Sequence, residues 1–184
     1  FENFNDRLQQ PGGFHLGNHA ADRTWRTATG KAQFSPNALP AELVNAQVLA
    51  RGDKPDLILQ TLRSHDQYNT TLYGLDDRYR GVFGLREVVF VNEADIRGMG
   101  FEPGERVDLV SLWDDGVERR VSGFRLVAYD VPQGQAAAYY PETNPLVPLE
   151  SYGEGTYTPT SKFVAIKVEK ARADNRIAAA LATD

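Results

Sequence analysis

Between Thr61 and Thr70 the chain reads TLRSHDQYNT, which sets Thr61, Arg63, Ser64, His65, Gln67, Asn69 and Thr70 within ten residues. Hydroxyls, carboxamides, an imidazole and one guanidinium form a donor-rich set with a single fixed positive charge. That chemistry suits a phosphate or a nucleobase edge, because Arg can pair with oxygens bidentately while neutral groups complete the shell. The competing reading is a polar surface loop whose Asn, Ser and Thr side chains satisfy their own backbone.

Two further stretches carry candidate groups. In YYPETNPLVPL, Tyr139 to Leu149, three prolines predict a rigid, extended segment that stays out of a central sheet. Such a frame presents the Asn144 amide and the rings of Tyr139 and Tyr140 to a heterocycle; the alternative is a loop with one Tyr plugged into the core. In TPTSKFVAIKVE, Lys162 precedes the last strand, either to meet an anion there or as a solvated edge charge.

Other chemistries find no support. His15, His19 and His65 lack metal-ligand spacing and have no Cys partners, so no zinc site is predicted. GVFG and GDKPD are not phosphate-cradling glycine loops. There is no G-x-S-x-G, and no residue is nominated as catalytic. Asp76-Asp77 and Asp114-Asp115 read as turn residues.

Short strands must position these groups. DLILQTL, EVVFVN, RVDLVSLW, RRVSGFRLVAYDV and FVAIKVE are enriched in β-branched and aromatic residues and bounded by turn chemistry. Ala136 to Ala138 predict a strand small enough for another backbone, or a flat ligand, to approach. Asn92 is a good N-cap before EADIRGMG, with Glu93 and Asp95 at the positive end of the helix dipole. Pro103-Gly104 and Pro132 with Gly134 predict turns. PAELVNAQVLARG, Pro40 to Gly52, predicts a short helix, and TWRTATGKAQF a hairpin about Thr29-Gly30. About five to seven strands with one or two helices predict a mainly β fold with minor α, a barrel or a sandwich.

The chain has 184 residues and a net charge of −5, enough for one real core and the wrong sign for a nucleic-acid footprint. No apolar run approaches a membrane span. Cysteine is absent, which removes disulfides and thiolate metal sites, is compatible with a reducing compartment, and leads to a cytoplasmic expectation. The polar, glycine-punctuated start at Phe1 lacks an initiator Met and a signal segment, as expected of a piece of a larger protein. The expected organisation is a lead-in over 1–23, a barrel domain over 24–170 and a flexible or short helical tail over 171–184.

Taken in order, these motifs resemble the C-terminal molybdopterin-dinucleotide-binding domain of the molybdopterin oxidoreductases, in particular formate-dehydrogenase-like alpha subunits. TLRSHDQYNT is similar to the family's "TGR" strand end and the polar pair that follows it, with Leu62 where Gly is common. RTATGKAQF resembles the entry "TPSGKAEF", TNPLVPL the "NxLT" segment and PTSKFVAIKVE the closing "YKxxxVRVE" strand. Ser161 replaces the common Tyr, and Pro145 and Val147 alter the "NELT" form. The similarity runs from about Thr24 to Glu169.

The resemblance implies a double-psi β-barrel and a ligand, molybdopterin guanine dinucleotide with molybdenum or tungsten. It implies that Thr61, Leu62, Arg63, Ser64, Gln67, Asn69 and Thr70 line one pterin–pyrophosphate limb. Asn144 and Lys162 match positions that reach the pterin and its phosphate, with Tyr140 or Tyr139 nearby. The family's metal-ligating residue belongs to earlier domains, so upstream domains of the same chain, and electron-transfer subunits, are the implied partners. Rival readings are a stand-alone barrel enzyme, and a β-barrel or sandwich binding module with no redox role.

Overall fold

Along β1 (Leu57–Leu62), Leu57, Leu59 and Thr61 are buried while Ile58, Gln60 and Leu62 are less so, the period-two alternation of a strand with one face on a core. Of the other strands, β4 (Arg120–Ala128) alternates around Phe124 and Leu126, β2 (Val88–Val91) is buried throughout, and β3 (Arg106–Ser111), β5 (Gln135–Tyr139) and β6 (Val164–Lys170) each carry a run of at least three buried residues. These elements come from a computed structural model that describes residues 2–39, 41, 54–68 and 74–172. The short-helix expectation over 40–52 and most of the C-terminal tail lie outside the described residues.

The six strands close into a barrel in the order β1-β5-β2-β4-β3-β6. β1 pairs parallel with β5, β2 pairs parallel with β4, and the other neighbours are antiparallel. Exchanging β1, β2 and β3 for β4, β5 and β6 reproduces the same ring with the same pairing senses, so the barrel has a two-fold topological symmetry. A helix lies between β2 and β3 and a 3-10 turn, Asn144–Leu146, at the matching place between β5 and β6.

Inside the barrel pack Leu57, Leu59, Val89, Val91, Leu109, Leu126 and Ile166 with their neighbours. Val88, Phe90, Ala137 and Tyr139 face the other way and meet Val82 in a second cluster beneath the connection from β1 to β2. Ala136 to Ala138 are therefore core residues, whose small side chains let β1 and β2 flank β5 rather than receive a flat ligand.

Asn92 caps the helix Glu93–Gly98 as expected, accepting from the Ala94 N–H at 3.0 Å, while its amide donates to the Val131 carbonyl at 2.9 Å. Asp95 accepts from the Gly134 N–H at 2.7 Å, so this helix also fixes the turn into β5. Glu102–Glu105 closes a turn with Gly104 at φ 93°, where a side chain would be strained.

Two local expectations change. The proline-rich stretch is not extended: Pro145 sits at the start of the 3-10 turn, where its fixed φ favours helical geometry. No strand forms between Thr24 and Phe34; Gly30 instead closes a turn onto the Thr27 carbonyl at 3.1 Å, because an isolated ribbon has no apolar face to bury. This turn belongs to a separate unit, Phe1–Pro40, whose one helix is α1 (Phe4–Leu8) among the described residues; the barrel belongs to the unit Ala41–Asp184. The helix Glu93–Gly98 is α2.

Candidate functional site

Parallel pairing puts the carboxyl ends of β1 and β5 at the same mouth of the barrel, with Leu62 opposite Tyr139. Arg63 and Tyr140 therefore leave the sheet side by side, and the Tyr140 N–H donates to the Leu62 carbonyl at 2.9 Å. β6 runs antiparallel to β1, so the residues ahead of it arrive at that mouth too, and the Thr61 N–H donates to the Ser161 carbonyl at 2.9 Å. Topology alone thus joins three stretches that are far apart along the chain.

They enclose a cavity of about 160 Å³ lined by Thr61, Leu62, Arg63, Tyr140, Ser161 and Lys162. That is the scale of a phosphate or diphosphate rather than of a complete dinucleotide. No carboxylate lines it. The Lys162 ammonium donates to the Thr61 carbonyl and lies 3.4 Å from the Thr61 hydroxyl. Burial, and then the positive charge of Arg63, push the Lys162 pKa below the ordinary lysine value. Among the described residues neither cation has a carboxylate partner. Arg63 and Lys162, both exposed to solvent, thus share one cavity with no carboxylate among its lining residues, an arrangement able to accept an anion.

Of the residues that sequence reasoning nominated, Thr61, Leu62, Arg63, Tyr140 and Lys162 share this cavity. Ser64 and Gln67 do not line it: both are buried and turn to the Arg86 guanidinium. Asn144 is exposed on the 3-10 turn and is not a lining residue. Tyr139 is a core residue, as the alternative reading had it. Asn69 and Thr70 lie outside the described residues. His65 stacks on Tyr79 with ring centroids 3.7 Å apart. Among the described residues no cluster of His, Cys, Asp or Glu could hold a metal, and no helix is long and apolar enough to cross a membrane.

Two buried networks behind the cavity escaped sequence reasoning. Arg86 donates to both Glu142 oxygens at 2.5 and 3.1 Å, to the Ser64 hydroxyl at 2.9 Å, to the Gly74 carbonyl at 3.3 Å and to the Tyr140 carbonyl at 3.2 Å. Gln67 accepts from Arg86 and from the Ser64 N–H, each at 3.4 Å. In the second network Asp77, read above as a turn residue, is buried and accepts from Arg80 at 2.5 Å and from the Tyr139 hydroxyl at 2.8 Å. Arg80 in turn donates to the Arg63 carbonyl at 3.3 Å. The signal available in the sequence was charge placed hard against apolar strands: Arg86 just before β2, and Glu142 just after β5.

Nearly the whole chain is similar to segments of known proteins. It is 51% identical over 173 residues to uncharacterized oxidoreductases of Mycobacterium bovis and Mycobacterium tuberculosis, a match to 91% of this chain and 21% of theirs. It is 39% identical over 175 residues to the protein YdeP of Escherichia coli, covering 92% of this chain and 22% of that protein. The chain thus spans about a fifth of the length of the curated relatives it matches. No family model matches it.

Proposed function

We propose that this chain is the molybdopterin-guanine-dinucleotide-binding domain of a larger molybdenum or tungsten oxidoreductase of the formate dehydrogenase type. The observation that carries the reading is the cavity at the mouth of β1 and β5, where Arg63 and Lys162 stand without a carboxylate among neutral hydroxyl and carbonyl groups. Cations with neutral donors are what a pyrophosphate linkage requires. The name oxidoreductase on the mycobacterial relatives, and the small share of their length that this chain matches, support a domain role within a redox enzyme. The two-fold symmetry of the strand ring supports a double-psi barrel, in which two interlocked halves each supply one parallel pairing.

In this reading the cofactor supplies the redox chemistry, and the chain's own residues bind and orient it. Arg63 would hold phosphate oxygens through its planar fork, Lys162 would add a point charge from beside Thr61, and the Thr61 hydroxyl would accept or donate a hydrogen bond. Metal ligation and proton transfer fall to upstream domains.

The test is Arg63→Ala in the full-length protein, purified from a host that makes the cofactor. The retained guanine nucleotide, released by acid hydrolysis and quantified per polypeptide, is expected to fall about tenfold or more, as for loss of a charge-assisted pair. Retention equal to wild type refutes the assignment.

A further inference from the structure

The walls of the cavity belong to different strands, and a single buried side chain touches the backbone or side chains behind both. Arg86 reaches Ser64 and Gln67, next to Arg63 on the β1 side, and the Tyr140 carbonyl and Glu142 on the β5 side. It is 5% exposed and does not line the cavity itself. Its ring-facing side lies 5.1 Å from the centroid of Tyr139, which further fixes the plane of the fork. Glu142 meets it bidentately, so the pair is neutral and the field in the cavity comes from Arg63 and Lys162.

We propose that Arg86 is a positioning residue for the anion site: its fork holds the Ser64–Gln67 turn and the Tyr140 backbone at the separation at which Arg63 and Tyr140 enclose the ligand. This rests on the proposed cofactor site. Lysine could keep the charge but not the geometry, since an ammonium cannot span six acceptor oxygens from one plane.

A purely structural ion pair makes a different forecast. Buried pairs replaced on both sides by apolar residues of similar volume commonly keep or gain stability. Arg86→Met with Glu142→Leu therefore removes the tie between the walls without leaving a charge unpaired. The experiment uses full-length protein, with guanine nucleotide per polypeptide measured after purification from a cofactor-producing host. Melting temperature is measured on protein from a host unable to make molybdopterin, so that bound ligand does not enter it. The double variant is expected to melt at or near the wild-type temperature yet retain about tenfold less nucleotide, as for loss of a group that orients a ligand-binding residue. Arg86→Lys is expected to retain an intermediate amount. A double variant that folds and retains nucleotide like wild type overturns the inference. If the double variant melts far lower, Arg86→Lys decides, and wild-type retention there overturns it equally. Arg63→Ala, run alongside, separates the two claims: if it retains nucleotide, the cofactor site itself fails, whatever Arg86 does.

Discussion

Tyr139→Phe deletes one oxygen from a network whose energetics the structure defines closely. The ring is 1% exposed and meets Phe90 edge-on with centroids 5.6 Å apart, contacts that Phe preserves. What is lost is the hydroxyl donation to Asp77 at 2.8 Å. A hydrogen bond to an ionised acceptor contributes roughly 1.5–3 kcal/mol, so a loss near 2 kcal/mol is expected at pH 7. For a chain of this size that corresponds to a fall of about 4–8 °C in melting temperature. The loss has a definite pH dependence. Burial by itself would raise the Asp77 pKa, but donation from Arg80 and Tyr139 and the charge of Arg80 outweigh it, and the carboxyl titrates below its ordinary 3.8. A depressed folded pKa contributes stability that is complete above the unfolded value and is lost as pH falls through the folded one. The difference between variant and wild type should therefore be full at pH 7 and shrink in the acid limb toward the roughly 1 kcal/mol of a neutral hydrogen bond. Urea unfolding across that range, with an unchanged m-value, measures it. A loss below about 0.5 kcal/mol at neutral pH, or one independent of pH, refutes the network.

Two other substitutions probe the elements that hold the barrel in register. Asp108 is fully buried at the irregularity between Val107 and Leu109, accepting from the Gly123 N–H at 3.1 Å and from Arg120 at 3.3 Å. Asp108→Ala should cost roughly 3–5 kcal/mol in urea unfolding, and Asp108→Asn, which keeps an acceptor for Gly123, clearly less. Asn92→Ala removes both the helix cap and the bond to Val131, so it should cost about 1–2 kcal/mol, with Asn92→Asp, which keeps the cap alone, falling between.

The strands were legible because β-branched runs such as VVFV and VAIKV stand between glycines, prolines and acidic turns, and α2 because its cap and first-turn acids are local. Closure and strand order were not, since they depend on pairings such as β1 with β6 that no local pattern encodes. The same division runs through the site. Arg63 and Lys162 could be nominated from residue type, but their meeting requires Lys162 to reach Thr61 across 101 residues of chain. Ser64 and Gln67 looked like ligand donors because their partner, Arg86, stands 22 and 19 positions away on another segment. Asp77 does close a turn, with the Arg80 N–H donating to its carbonyl at 3.1 Å, yet its burial depends on a tyrosine 62 residues later. Asn144 was placed by three prolines read as an extended frame, whereas Pro145 starts a 3-10 turn that leaves the amide exposed.

The most direct measurement is the joint content of guanine nucleotide and of molybdenum or tungsten in wild-type full-length protein. Protein isolated from a cofactor-producing host should carry both, and protein from a host without molybdopterin synthesis should carry neither. Folded protein from the producing host that holds neither nucleotide nor metal contradicts the account.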